Sequence, residues 1–231
     1  IAYHKNKYDR GFKKMINIWG ADHHGYVARV KAAMAALGYD VNQLEVLLLQ
    51  MVSLFRDGKP VKMSKRTGQA ITLNELIEEV GTDAARYFFI MRSLDTQLDF
   101  DLDLAKSHSN ENPVYYIQYA HARIYSIYRQ AKEAGADLSM DWSDVKWDTL
   151  TNEYELELIK KMAAFPEEVQ RAARERAPHR IAHFVHELAG MFHTFYNHCR
   201  IIQEDKSPSG PGHGSPHHHR QQFGYFRGFC S

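Results

Sequence analysis

Apolar and polar positions change rhythm along this chain. Met15-Ile16-Asn17-Ile18-Trp19 is a short apolar run stopped by Gly20, and it predicts a strand. His24 to Leu37 is rich in Ala and predicts a helix, with Gly38 where a C-terminal cap belongs. Leu44 to Leu49 is apolar almost throughout, as suits a strand covered on both faces. Residues 1–12 read as the end of a helix. Strand, helix and strand with short joints predict a parallel α/β unit. One such unit is half of a doubly wound domain, so the other half is expected before Ile1.

Residues 52–63 then predict a hairpin, with Asp57-Gly58 supplying the positive φ values of a tight turn. Thr72 and Glu75 form a capping box for a helix ending near Gly81, and Thr82 opens another through Arg92. Asp99-Phe100-Asp101-Leu102-Asp103 reads as a short acidic connector. From about 110 the period is helical only. Pro113 fits the first turn of a long helix that Gly135 ends, and further helices are expected near 152–163, 166–176 and 178–202. On the long helix Val114, Ile117, Ala120, Ile124, Ile127 and Ala131 make the core stripe, with Tyr115, Tyr119, Arg123 and Arg129 broadly opposite. On the last helix His179, His183, His186, His193 and Asn197 make a polar stripe facing solvent or RNA. The Ser/Pro/Gly/His-rich stretch 205–231 is expected to be disordered.

Composition changes this picture little. In 231 residues, 29 Lys and Arg balance 28 Asp and Glu, so any nucleic-acid surface must arise from local clustering. Two cysteines, Cys199 and Cys230, cannot build a disulfide framework or a Cys-based zinc cluster, and they fit a reducing, cytoplasmic setting. The sequence holds no apolar run of about 18 residues, and no membrane span is expected. No metal site is expected either: the adjacent His23 and His24 would rarely converge on one ion.

Two segments carry chemistry. Lys62-Met63-Ser64-Lys65-Arg66 follows the hairpin in a stretch where Arg56, Lys59, Lys62, Lys65 and Arg66 face one anion, Asp57. Mobile ammonium groups can stabilise charge on a departing pyrophosphate, each worth about 3–4 kcal/mol of barrier. A solvated charge run is the alternative reading. Gly20-Ala21-Asp22-His23-His24 lies between strand and helix, where Gly20 permits close approach of a nucleotide and Asp22 can accept from ribose hydroxyls. Asp22 as a plain helix cap is the alternative there. Aromatics interleaved with Arg at Tyr115, Tyr119, Arg123 and Arg129 can stack on unpaired bases and neutralise phosphates, or can simply cover a neighbouring helix. Arg171, Arg174, Arg176 and Arg180 read as a phosphate track or a solvated face.

Four ordered strings (Ile18 to Tyr26, Pro60 to Arg66, Val80 to Tyr87, and Ser109 to Arg123) resemble the bacterial arginyl-tRNA synthetases, a class I aminoacyl-tRNA synthetase family. The resemblance runs from residue 1 to about 202. It implies a partial Rossmann-like nucleotide-binding domain followed by an all-helical anticodon-binding domain of the DALR type: α/β, then all-α. Residues 1–66 would be the C-terminal half of the catalytic domain, 67–109 a connecting and stem-contact region, 110–204 the anticodon domain, and 205–231 a tail outside the family pattern. The implied reaction joins arginine to ATP as arginyl-adenylate and passes it to tRNA(Arg), with ATP, a substrate carrying Mg2+, arginine and tRNA as partners of a monomer.

By the same resemblance Lys62, Ser64 and Lys65 are the catalytic signature loop, with Lys65 its second lysine. Gly20, Asp22, His23, Met51, Val52 and Met63 would bind ATP, and His24 would stand beside the substrate. The family's HIGH motif and the Tyr and Asp that read the arginine guanidinium would lie upstream of Ile1. Residues 1–231 alone are therefore expected to be inactive, and a non-catalytic tRNA-binding module is the alternative reading.

Overall fold

A computed structural model describes residues 1–61, 71–135, 150–199 and 201. Its elements are mostly helical with two small sheets. They fall into two compact units: residues 1–106 with 177–179, and residues 107–176 with 180 onward.

The first unit opens with helix α1, Ala2–Asp9, then strand β1, Met15–Gly20. Helix α2, His24–Ala36, returns the chain to β2, Leu44–Leu49, which pairs with β1 in parallel from Met15 opposite Leu44 to Gly20 opposite Leu49. The pair is the α/β unit that the apolar rhythm predicts. Met15, Met34 and Leu44 are buried at its centre, with Tyr8, Val30, Tyr39, Val41 and Val46 against them. α1 is tied down by two tyrosines whose rings stack at 4.5 Å: Tyr8 donates to the Asp40 carbonyl at 3.0 Å and Tyr39 to Asp9 at 2.8 Å.

The other face of β1 is bare. Ile18 is 61% exposed and Ile16 42%, so the apolar side chains of β1 are covered on one side only.

The hairpin follows as β3, Val52–Arg56, and β4, Lys59–Pro60. Asp57 and Gly58 both take positive φ, at 51° and 66°, which is the two-residue turn that the pair predicts. Beyond β4 the Val61 N–H donates to the Leu54 carbonyl at 2.8 Å, and the rest of the expected hairpin, Lys62 and Met63, lies outside the described residues.

Helices α3, Leu73–Val80, and α4, Thr82–Ile90, come next. Both halves of the Thr72–Glu75 capping box are made.

The expected acidic connector is not a connector. Leu98–Asp101 is strand β5, parallel to β3 and opposite its Val52 to Phe55, and Leu102–Lys106 is the short helix α5. The three carboxylates alternate with apolar positions that turn inward: Leu98, Phe100 and Leu102 are buried, Phe100 and Leu102 completely. Asp101 accepts the Asp103 and Leu104 N–H groups and so starts α5, while Asp103 accepts the Asp57 N–H of the hairpin turn at 2.6 Å. Glu79 on α3 bridges Arg56 at 2.7 Å and Lys106 at 2.8 Å, and the Lys106 contact above all holds its carboxyl below the usual range.

The second unit is helical: α6, Pro113–Glu133; α7, Glu153–Ala163; α8, Phe165–Glu175; and α9, His179–His198. Asn112 starts α6, with Pro113 as its first residue. The buried Asn112 side chain accepts from Val114 N–H at 3.0 Å and donates to the Ser107 carbonyl at 2.8 Å. Ala120, Ile124 and Ile127 of α6 pack with Leu158 of α7, with Ala189, Phe192 and Phe195 of α9, and with Ile201. The core stripe expected on α6 is therefore the one that packs, except that Ile117 sits at its edge, partly buried.

Candidate functional site

Two clusters bear on function, one in each unit. In the first, β1 and β2 end in register, so the chain leaves both strands along the same carboxyl edge. From β1 it enters a tight helical turn, Ala21–His23, and then α2. From β2 it passes through Gln50, whose N–H donates to the Leu94 carbonyl at 2.9 Å, and Met51 into β3. A parallel edge of this kind is where α/β folds take ligands.

Gly20 ends β1. A Cβ built on it would stand 2.5 Å from Asp22 Oδ1, so the missing side chain is the space that the Asp22 carboxylate occupies. Asp22 and His23 are open to solvent, with side chains 71% and 57% exposed, and His23 Nε2 lies 3.6 Å from Asp22 Oδ2. His23 meets the Tyr26 ring edge-on at 6.0 Å, and Arg29 lies over Tyr26 at 5.3 Å. His24 is exposed at the first turn of α2. Met51 is 70% exposed and Val52 is half-buried at the start of β3. Gly20, Asp22, His23 and His24 thus share one turn, and Met51 and Val52 follow the neighbouring strand at the same edge. Lys62, Met63, Ser64 and Lys65 lie outside the described residues, as does the 205–231 stretch.

The second cluster joins α6 and α9. Rings line α6 almost parallel: His108 on Tyr115 at 5.7 Å, and Tyr115 on Tyr119 at 6.2 Å. Arg123 donates to the Tyr119 hydroxyl at 2.5 Å and lies between two rings, 4.6 Å from that of Tyr119 and 4.4 Å from that of Tyr196 on α9. His193 on α9 meets Tyr116 edge-on at 4.7 Å and stacks on Tyr119 at 5.5 Å. A cavity of about 430 Å³ opens here, lined by Asn110, Tyr116, Tyr119, Arg123, His193 and Asn197 among others. Its walls offer aromatic faces, one guanidinium and amide groups, a chemistry that suits a planar, polar, unpaired base.

Of the four residues expected to meet RNA, Tyr115, Tyr119 and Arg123 come together. Arg129 is exposed on α6, about 80° around the helix from Tyr119, away from this cavity.

His193 departs from the solvent-facing half of the expected solvent- or RNA-facing stripe: it is 9% exposed, with its ring edge-on to Tyr116. Helical periodicity alone put it opposite the apolar stripe, but Tyr116 and Arg123, 77 and 70 residues earlier, close over it. Tyr116 and Tyr196 were missed in the sequence. The signal available was the spacing Tyr116–Arg123 on one helix and His193–Asn197 on the other, which only a helix pairing could have joined.

The expected arginine track is largely taken up locally. Arg171 pairs with Glu175 at 3.0 Å, Arg180 pairs with Glu168 at 2.7 Å, and Arg176 donates to the Ala173 carbonyl. Among the described residues no group of three or more His, Cys, Asp or Glu is placed to hold a metal ion. No helix among them is long and apolar enough to cross a membrane.

Comparison with known proteins bears on both clusters. Residues 117–209 match the DALR anticodon binding domain. The arginine–tRNA ligase of Carboxydothermus hydrogenoformans is 61% identical over 209 residues, covering 90% of this chain and 37% of the relative. That of Desulforudis audaxviator is 60% identical over 202 residues, 87% of this chain and 36% of the relative. A solved Campylobacter jejuni structure described as an arginyl-tRNA synthetase is 41% identical, with a TM-score of 0.76, over 88% of this chain and 43% of that one. Thermus thermophilus arginyl-tRNA synthetase, 24% identical, shares the fold at a TM-score of 0.67 over 94% of this chain and 38% of that one. The chain spans about 37% of the length of the curated relatives it matches. With the DALR match on its helical unit and relatives of one name along nine-tenths of its length, the chain belongs to the arginyl-tRNA synthetase family and represents a part of such a protein.

Proposed function

We propose that this chain is the C-terminal part of an arginine–tRNA ligase and that its helical unit, within residues 110–204, grips the anticodon arm of tRNA(Arg). The observation that carries this reading is the cavity between α6 and α9, where Tyr119 and Arg123 present a ring and a charge together, with Tyr196 against Arg123. An unpaired base entering it would stack on Tyr119 and accept hydrogen bonds from Arg123, while Tyr115 extends the stacking surface and Arg129 meets a phosphate outside the cavity.

Residues 1–66 would supply one side of a Rossmann-like ATP site, and 67–109 would connect the two and contact the acceptor stem. In the reaction the arginine carboxylate attacks the α-phosphate of ATP, which enters with Mg2+, and pyrophosphate leaves. The resulting arginyl-adenylate then passes its acyl group to the terminal ribose of the tRNA. Asp22 is suited to the ribose hydroxyls because its carboxylate is open and Gly20 leaves it room. Lys62 and Lys65, with Ser64 and Met63 between them, would bring cationic groups to the departing pyrophosphate. Met51 and Val52 would border the adenine, His23 the adenosine, and His24 the substrate. The assembled ligase would act as a cytoplasmic monomer, and residues 1–231 alone would bind tRNA without charging it.

The test is binding of a fluorescein-labelled tRNA(Arg) anticodon stem-loop to the 231-residue chain, read by anisotropy across a salt series. Tyr119→Ala should cost about 1–3 kcal/mol of binding. Arg129→Ala should weaken binding evenly across sequences and lower the salt slope by about one. Equal affinity for an unrelated hairpin, with Tyr119→Ala binding as the parent does, would refute the anticodon reading.

A further inference from the structure

Arg123 is a long side chain whose guanidinium can rotate about its stem, yet its central carbon lies over two rings. Stacking fixes the plane of a guanidinium but not its rotation within that plane. The Tyr119 hydroxyl takes Nη2, and the structure supplies a second partner for the other terminal nitrogen, Nη1. His193 Nδ1 stands 3.5 Å from Arg123 Nη1, and His193 Nε2 stands 3.4 Å from the Tyr116 carbonyl oxygen.

The two neighbours fix the proton. A carbonyl only accepts, so Nε2 must donate; a guanidinium only donates, so Nδ1 must accept. Both contacts are met by one species, the neutral imidazole with its proton on Nε2. A doubly protonated ring would turn an N–H toward the guanidinium and set two positive charges side by side. The groups facing His193 are Tyr116, Tyr119 and Arg123 from α6, Asn110 from the segment before it, and Asn197 of α9 itself; of these, Arg123 carries the charge.

We infer that His193 is a positioning residue: as the neutral imidazole it locks the Arg123 guanidinium between Tyr119 and Tyr196 for contact with RNA, and its protonation releases that lock. The inference rests on the reading of the cavity as an RNA site and adds a residue and a pH dependence to it. Burial holds the His193 pKa below its ordinary 6.5, and the Arg123 charge pushes in the same direction against the Tyr116 carbonyl contact. The sign follows. A depressed histidine favours the folded, locked state while neutral, so the contribution is intact above 6.5 and is lost as pH falls from there through the lower folded value.

The test uses the full 231-residue chain, isotopically labelled, in two parts. Without RNA, the His193 ring nitrogens and the Arg123 Nε resonance are followed from about pH 8 to about pH 5.5; the Arg123 signal should move with the His193 midpoint. With the labelled anticodon stem-loop, parental affinity should fall about tenfold through the same midpoint, the loss of one hydrogen bond to a charged group. His193→Asn, whose oxygen takes the place of Nδ1 but cannot be protonated there, should keep the affinity of the high-pH parent and flatten the pH profile. His193→Phe, which keeps the ring and loses the acceptor, should be about tenfold weaker at every pH. If His193→Phe does not fold, His193→Asn and the resonance titration decide the matter alone. An Arg123 resonance indifferent to the His193 titration, or either variant reproducing the parental pH profile, overturns the inference. A parent that binds no RNA defeats the anticodon reading instead, and leaves the resonance coupling to decide whether His193 holds Arg123.

Discussion

The backbone at Gly20 is ordinary, with φ −61° and ψ 146°, so its own torsions do not require glycine. The requirement comes from two residues on, where the Asp22 carboxylate occupies the space of the missing Cβ. Gly20→Ala should therefore leave the thermal midpoint of the chain within the range of a neutral surface change, about 0.5 kcal/mol, while displacing the carboxylate. On the proposed reading of this turn, the full-length protein should show a raised KM for ATP with little change in expression or melting temperature. A lowered melting temperature with unchanged KM would contradict that account. At this scale the sequence was most readable where one residue acts through its own backbone. Asp57-Gly58 and Thr72 with Glu75 do what their types dictate. His193 was not readable, because its environment is made by side chains of another helix.

Elements divide in the same manner. β1, α2 and β2 follow from local rhythm, because strand and helix periods differ and Gly20 and Gly38 punctuate them. β5 did not, because three carboxylates in five residues look like solvated chain. Only a parallel partner, β3, some 45 residues earlier in register, makes their N–H and C=O groups worth ordering. The decisive side chain is Phe100, fully buried and in ring contact with Phe88 at 5.2 Å and Phe89 at 5.3 Å. Phe100→Ala should cost about 3–5 kcal/mol, the value of an emptied aromatic site in a core. Hydrogen exchange at Val52–Arg56 should accelerate while exchange in α6 stays as it was, since α6 belongs to the other unit. Unchanged protection at β3 would mean that β5 is dispensable to the sheet.

At the scale of the whole molecule, a near-neutral chain with a bare apolar sheet face has little to keep copies apart. Ile16 and Ile18 project from an edge strand paired on one side. The isolated chain should self-associate as its concentration rises, and Ile16→Thr with Ile18→Thr should reduce this while keeping strand propensity. Sedimentation velocity over a concentration series checks the outcome; identical sedimentation of parent and variant would show that this face plays no part. The same face explains why composition alone could not report the problem: 44% apolar residues is ordinary, and what differs is where two isoleucines are left.

The Asn112 side chain carries a separate consequence. The groups it joins, the Ser107 carbonyl and the first N–H groups of α6, all belong to the helical unit. That unit therefore brings its own clasp. Severing the peptide between Lys106 and Ser107 would leave the clasp fastened, whereas trimming six residues further would remove Asn112 itself and let the head of α6 fray.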